Sequence, residues 1–259
     1  MGDRFGGSVE VNRARSLEGL AHGFIGRRGG VSTGAVASLN TGPGSGDDPD
    51  AVTENRARVV EAVKPRARLV TVYQVHSPDC VTVAEPWSDD ERPHADAMVT
   101  DRSDLLLGIL TADCAPVLFA DRRASIVGAA HAGWKGAIAG VTDRTIEAME
   151  RLGARAGDIV AAIGPCIAQA SYEVDLAFRD RFCVADSDNA RFFIVGREGH
   201  CQFDLESYVA ARLRACGLAS VECLGLDTYA LEERFFSFRR ATHRGEPTYG
   251  RHMSVIAAN

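Results

Sequence analysis

No stretch of this sequence is long and apolar enough to cross a membrane. The longest apolar stretches, such as Ser125 to Ala132, fall far short of the roughly 20 residues that a bilayer-spanning helix needs. The amino-terminal run Met1-Gly2-Asp3-Arg4-Phe5-Gly6-Gly7 lacks the apolar core of an export signal. There is no Cys-x-x-Cys, and the seven cysteines are an odd number, so a disulfide framework is not expected and a reducing cytoplasm is. No Lys/Arg block interrupts the balance of 29 basic against 35 acidic residues, net −6, which argues against nucleic acid as a partner. No internal repeat is visible, and no Pro/Ser-rich linker divides the chain.

What is present reads as a folded chain. At about 150 residues per domain, 259 residues make one large domain or two small ones. With no linker, residues 1–259 are expected to form a single domain. Hydrophobic residues make up 46% and charged residues 25%, too apolar a balance for disorder. A chain of this length buries roughly 75% of its unfolded surface and needs no disulfide to fold. Most of its cysteines are then small core hydrophobes: Cys80, Cys166, Cys183, Cys201, Cys216 and Cys223 are read as packing or incidental.

Short β-branched runs bounded by turn residues predict strands over Leu69–Gln74, Cys80–Val83, Leu106–Leu110, Pro116–Phe119, Ser125–Ala129 and Asp158–Ile163. The segment Phe119–Ser125 reads as a hairpin connection. Ile138, Val141, Thr145, Met149 and Leu152 recur at helical spacing, with Gly153 as the stop. A helix from Pro49 to about Val63 starts with Asp48 as N-cap and Pro49 in the first turn. Two more are expected at Val174–Phe182 and Leu205–Ala215. Two loops look long, Gly42–Asp50 and Glu85–Ala95; the second carries Asp89-Asp90-Glu91 and reads as solvated surface. Strands and helices mix without strict βαβ alternation, which predicts an α+β fold with hairpins in mixed sheets.

On the helix from Pro49, the apolar stripe is Val52, Val59, Val60 and Val63, and Arg56 falls on the same face. An arginine there either snorkels at the edge or meets an anionic partner that offsets its desolvation. Three further segments set chemistry-bearing residues at strand ends: Tyr73-Gln-Val-His76-Ser77, Thr111-Ala-Asp-Cys114-Ala-Pro116 and Ala130-His131-Ala-Gly-Trp-Lys-Gly136. In an antiparallel hairpin, Cys114 before one strand and His131 after the next return side by side. Two imidazoles and a thiolate suit zinc, whose catalytic sites keep an open position, and which brings a water's pKa to near about 7. The same residues also suit a Cys–His nucleophile pair without metal.

These segments resemble the YfiH-like family, long labelled multicopper polyphenol oxidases or laccase-domain proteins and now read as purine nucleoside phosphorylases. The resemblance covers nearly the whole chain and rests on an ordered series. It includes Gly29-Gly-Val-Ser32, Ser38-Leu-Asn40, Gly46-Asp-Asp48, Asn55-Arg56, Gln74-Val-His76, Ala95-Asp-Ala-Met-Val-Thr100, Ala112-Asp-Cys114-Ala-Pro116, His131-Ala-Gly-Trp-Lys-Gly136, Ile163-Gly-Pro-Cys-Ile167 and Phe235-Phe-Ser-Phe-Arg-Arg240.

The resemblance implies a four-layered α/β/β/α sandwich, of the kind also found in cytotoxic necrotizing factor-like toxins. It implies a metal site of His76, Cys114 and His131 holding zinc, with copper in some relatives. It implies phosphorolysis of adenosine, inosine, guanosine and S-methyl-5'-thioadenosine, with adenosine deamination as a second activity. It makes Arg56 a catalytic group that holds phosphate or substrate, and Ser38 and Asn40 polar groups of the substrate pocket. Lys135 stands where many relatives have arginine, keeping the charge without the planar fork. Asp113 or Glu173 shuttles protons, or Asp113 orients a ligand from behind. Two departures, Gly42-Pro-Gly-Ser45 without the family's histidine and Asp227-Thr228 in place of Cys-Thr, bear on substrate preference.

The expected partners are purine nucleosides and phosphate, without nucleic acid or membrane, for a monomer or weak homo-oligomer. The alternatives are a Cys–His amide hydrolase acting on a cell-wall precursor, a copper-dependent polyphenol oxidase, and a metal-binding protein without activity. The oxidase label sits poorly with seven histidines and no His-x-His, because a multinuclear copper centre needs many histidines.

Overall fold

Seven consecutive residues of one strand, Leu105–Thr111, are all buried, and alternate side chains leave in opposite directions. Leu105, Leu107 and Ile109 join one apolar core, while Leu106 and Leu110 join another. A strand buried on both faces needs a layer on each side. The computed structural model, which describes residues 7–259, supplies both layers. The amino-terminal run read above lies, except for Gly7, outside the described residues.

The strands are β1 (Val11–Asn12), β2 (His22–Ile25), β3 (Arg68–Thr71), β4 (Cys80–Thr82), β5 (Ala97–Thr100), β6 (Leu105–Thr111), β7 (Ala115–Asp121), β8 (Ile126–Ala132), β9 (Ile159–Ile163), β10 (Glu173–Asp175), β11 (Phe193–Val195), β12 (His200–Phe203), β13 (Ser220–Cys223) and β14 (His252–Ile256). The α-helices are α1 (Pro49–Val63), α2 (Trp134–Ala139), α3 (Val141–Leu152), α4 (Leu176–Ala185), α5 (Leu205–Ala215) and α6 (Phe238–His243).

The first sheet has the order β1-β2-β14-β6-β3, with β3 parallel to β6 and the other pairs antiparallel. Its outer face packs on α1 through Val59, Val60 and Val63. The second sheet has the order β13-β9-β7-β8-β5-β4 and is also mixed. Its Leu118, Ala120, Val127 and Ala129 meet the first sheet, while Val117, Phe119, Ala130 and Ala132 face the core shared with α3 and α5. The result is helix, sheet, sheet, helix: the expected four-layered sandwich. A small antiparallel sheet, β10-β12-β11, joins α4 in an aromatic cluster: Phe178 stacks on Phe182 and Phe193 on Phe203, and Phe203 meets Phe178 and Phe182 at tilted angles. Among the described residues, no helix is long and apolar enough to cross a membrane.

β7 and β8 run past the expected Phe119 and Ala129, to Asp121 and Ala132, so His131 lies within β8 rather than after it. Three further boundaries differ from the sequence reading, each for a physical reason. The expected helix from Ile138 to Leu152 is two helices, because Gly140 takes a left-handed φ of +94° and ends α2 before α3 begins. Val174 pairs with Cys201 in β10 instead of opening a helix; Asp175 then caps α4 by accepting from Phe178 N at 2.7 Å. The strand expected through Gln74 stops at Thr71. Beyond it the Gln74 carboxamide bonds the Leu110 carbonyl (2.8 Å) and N–H (2.9 Å). A side chain thus continues the ladder, and the backbone is free to turn.

His252 on β14 is buried beside the Phe235 ring, and among the described residues neither of its ring nitrogens has a hydrogen-bond partner. Burial, reinforced by Arg27 and Arg240, holds its pKa down to about 3. The unfolded chain, with a histidine pKa near about 6.5, therefore binds this proton more readily than the folded one. The stability contributed by neutral His252 is complete above the unfolded pKa and is lost as pH falls toward the folded value. His252→Leu should accordingly lose less stability than the parent between pH 7 and pH 5, by on the order of 2 kcal/mol, in urea titrations at the two pH values. Equal losses in the two proteins would show that His252 does not set this acid response.

Candidate metal centre

Register places the first two residues. In the β7–β8 hairpin Pro116 lies opposite His131 and Ala115 opposite Ala132, so Cys114, one step before β7, arrives beside the end of β8. Asp113 precedes it in a left-handed conformation, φ +87°. The Asp113 carboxylate is buried and accepts from Thr228 Oγ1 (2.6 Å), Ser237 Oγ (2.9 Å) and the Arg239 N–H (2.7 Å). These bonds tie the Cys114 turn to two distant segments. Asp113 lines one of the cavities described below, but its acceptor sites are committed internally. That geometry suits positioning of Cys114 and leaves little capacity to bind substrate or shuttle a proton.

The third residue arrives by a loop. His76 is exposed and holds φ +62°, a strained region for a residue with a side chain. The flanking Val75 and Ser77 N–H groups donate to Asp96 Oδ2 at 3.0 and 2.7 Å. The other oxygen, Asp96 Oδ1, lies 2.7 Å from His131 Nδ1. One fully buried carboxylate therefore fixes both the His76 loop and the His131 ring. Burial opposes its ionisation, but His131 and the two backbone N–H groups overcome this and hold it below the usual carboxylate range.

His76, Cys114 and His131 each present one ligand atom, and these atoms lie within 4.8 Å of one another. Among the described residues, this is the one cluster of three or more His, Cys or acidic side chains able to hold an ion. With His131 Nδ1 given to Asp96, Nε2 is its ligand atom, the arrangement that orients metal-binding histidines elsewhere. Burial by itself would raise the Cys114 thiol, but the His131 and His76 imidazoles bring it down to about 7. His131 moves the other way: burial lowers it, and Cys114 with Asp96 raises it to about 9. The pair favours thiolate beside imidazolium, so sulfur is ready to ligate once the ring gives up its proton. A donor set of two nitrogens and one thiolate fits zinc or copper. Gly133 leaves the cluster open: a Cβ there would stand 2.9 Å from Cys114 Sγ and 3.0 Å from His76 Cδ2.

Two cavities meet at this cluster and share His76, Ala112 and Cys114 in their walls. The first, about 560 Å³, is lined by Trp134, Tyr172, Phe178 and Phe238 together with Lys135 and Glu173. Lys135 is exposed, and Glu173 is paired with Arg197 at 3.0 Å, which holds it ionised and makes it a poor proton donor. The second cavity, about 430 Å³, opens between the Pro43–Gly44 loop, Gln74, Arg92 and Arg251.

Three candidates from the sequence are not brought to the cluster. Ser38 is buried and accepts from the Gly30 N–H at 2.7 Å. Asn40 is fully buried; its amide donates to Ser45 Oγ and Asp47 Oδ2, both at 2.8 Å, and its oxygen accepts from the Gly42 and Arg251 N–H groups. Both organise the loop before α1 rather than a substrate pocket. Arg56 does lie inward, but its Nε donates to the Thr41 carbonyl (2.9 Å) and its Nη1 pairs with Asp89 (2.9 Å). It lines neither cavity, and the anionic partner that its burial requires is Asp89 of the loop read as solvated surface.

Sequence reasoning assigned no role to Asp96, Gln74, Arg92 or Arg251. Asp96 and Gln74 lie inside quoted motifs, but nothing local says which backbone groups they serve. Asp96→Asn keeps the size and removes one acceptor, leaving the Val75 and Ser77 N–H groups or His131 without a partner. Metal affinity, read by competition with a chromophoric chelator, should fall about 10–100-fold. Unchanged affinity in a variant that melts at the parent temperature would remove Asp96 from this role.

Residues 21–259 match the family model described as multi-copper polyphenol oxidoreductase laccase. A protein of Streptomyces coelicolor named purine nucleoside phosphorylase is 40% identical over 210 residues, 80% of this chain and 85% of its own. One of the same name from Deinococcus radiodurans is 39% identical over 224 residues, covering 85% and 84%. Among solved structures, a Neisseria meningitidis protein matches with a TM-score of 0.87 at 33% identity, over 98% of this chain and 100% of that one. YlmD from Geobacillus stearothermophilus matches with a TM-score of 0.84 at 30% identity, over 98% and 97%. The chain belongs to the family described as multi-copper polyphenol oxidoreductase laccase, and its solved neighbours share its whole fold.

Proposed function

We propose that this protein is a metal-dependent purine nucleoside phosphorylase acting on adenosine, inosine, guanosine and S-methyl-5'-thioadenosine, with adenosine deamination as a second activity. The observation that carries the reading is the position of the His-Cys-His cluster between two cavities: His76 and Cys114 lie in the wall that both share, and His131 lines the second. Two substrates can meet there, as phosphorolysis requires. The names of the relatives from Streptomyces coelicolor and Deinococcus radiodurans support the same reaction.

In the reaction a phosphate oxygen bonds to C1′ of the ribose, the C1′–N9 bond breaks, and its electron pair leaves with the purine. The phosphate's proton goes to the departing base, so hydrogen phosphate dianion and nucleoside become ribose 1-phosphate dianion and free base. Trp134, Tyr172, Phe178 and Phe238 offer aromatic faces on which a purine can stack. Asp96 fixes the His131 ring, and Asp113 fixes the Cys114 turn. We read the metal as zinc, or copper in its place; His76, Cys114 and His131 would hold it, and when bound it would supply Lewis-acid polarisation of a substrate oxygen. The protein acts in the cytoplasm, which suits its seven free cysteines, as one domain and as a monomer or weak homo-oligomer.

One other reading has an observation in its favour. Cys114, His131 and Asp96 stand in the order of nucleophile, base and orienting carboxylate, which suits an amide hydrolase. A multinuclear copper oxidase has no such support, since one cluster of three ligands accommodates one ion.

Inosine separates the readings. The purified protein should release hypoxanthine only when phosphate is present, with ribose 1-phosphate formed in equal amount. Chelator should abolish the reaction and zinc restore it. Release without phosphate, or full rate after metal removal, would overturn the proposal.

A further inference from the structure

The two cavities differ in charge. Among the described residues, the second has no carboxylate in its wall and carries two arginines, Arg92 and Arg251, beside His131. The first mixes Lys135, Arg181 and Arg239 with the carboxylates of Asp113, Glu173 and Asp175. A dianion entering the first meets carboxylates among its cations, whereas the described wall of the second offers two arginines and no carboxylate.

Both arginines are held and still have free donors. The Arg251 backbone is pinned on both sides: its N–H donates to Asn40 Oδ1 (2.9 Å), and its carbonyl accepts from the Thr41 N–H (2.9 Å) and hydroxyl (3.0 Å). Its guanidinium lies 4.8 Å from the Tyr249 ring centre, and Nη2 donates to the Tyr249 hydroxyl at 3.2 Å. Gly42 gives the side chain room, since a Cβ there would stand 2.9 Å from Arg251 Cβ. Among the described residues no carboxylate pairs with Arg251. Arg92 donates from Nε to the Asp89 carbonyl at 2.6 Å, and the nearest carboxylate oxygen, on Asp89, is 3.7 Å away. That carboxylate is already paired with Arg56 at 2.9 Å, so one negative charge faces two positive ones. Among the described residues, Arg92 Nη1 and Nη2 and Arg251 Nη1 carry no hydrogen bond.

We infer that Arg92 and Arg251 form the inorganic phosphate subsite, with the purine in the aromatic cavity on the other side of the cluster. The assignment rests on the phosphorylase reading. It deepens that reading by separating the reactants as displacement at C1′ demands, with nucleophile and leaving group on opposite sides of one carbon. It also moves the phosphate-holding role from Arg56 to two arginines that reach open space.

The test combines calorimetric titration of the metal-loaded protein with orthophosphate and steady-state kinetics with inosine. Arg92→Gln and Arg251→Gln should each raise the phosphate Kd and KM about tenfold or more, with the inosine KM within about twofold of the parent. Arg251→Lys should recover part of the loss, because charge survives without the fork. Lys135→Gln, in the other cavity, should shift the inosine KM and leave the phosphate Kd in place. Should Arg251→Gln fail to fold, Arg92→Gln on its loop decides alone. No orthophosphate binding to the parent, unchanged phosphate affinity in the folded arginine variants, or loss of it in Lys135→Gln would overturn the assignment. Arginine-dependent phosphate binding without inosine cleavage would instead retain the anion subsite and refute the phosphorylase reading.

Discussion

The Asp96 carboxylate is fully buried, and an ionised group in that position survives only if its oxygens are bonded. Its partners are His131 Nδ1 on one oxygen and the Val75 and Ser77 N–H groups on the other. Satisfying one charge thus draws the His76 loop onto the end of β8 and fixes which His131 nitrogen remains for a ligand. The φ of +62° at His76 is the local strain that this arrangement sustains. Rigidity at the His-Cys-His cluster comes from a buried charge and the backbone groups it requires.

The sandwich supplies the other half of the constraint. The inner strands are buried on both faces, so a one-residue slip would exchange the cores on either side of a sheet, and the β7–β8 register is tightly specified. That register delivers Cys114 to His131. Packing in the layers and chemistry at the rim are therefore coupled through pairings such as Pro116 with His131. The rim then divides into an aromatic cavity and an arginine-lined one, with the cluster between them.

Local and periodic features were legible in the sequence. The bounds of α1 and α5, the capping role of Asp48 and the convergence of Cys114 with His131 follow from short-range rules. The split at Gly140 was not legible, because glycine inside an apolar helical repeat is often tolerated, and its left-handed φ depends on how α2 and α3 pack. Polar residues were the harder case. Ser38, Asn40 and Arg56 look like binding groups in a linear sequence, yet each is taken up by partners that only the folded loops bring near, Asp89 for Arg56 among them. Arg92 and Arg251 are inconspicuous in the sequence for the converse reason. They come from segments far apart in the chain, and no spacing marks two arginines that meet across a cavity.

On the reading proposed above, His76, Cys114 and His131 ligate one metal ion together. X-ray absorption at the metal edge of the purified protein tests this most directly. The expected spectrum contains one sulfur at about 2.3 Å and two imidazole nitrogens at about 2.0–2.1 Å, as zinc prefers. Cys114→Ser should lose the sulfur shell, and His131→Ala one imidazole. A spectrum from the parent protein with no sulfur shell, or one unchanged in Cys114→Ser, would contradict the account.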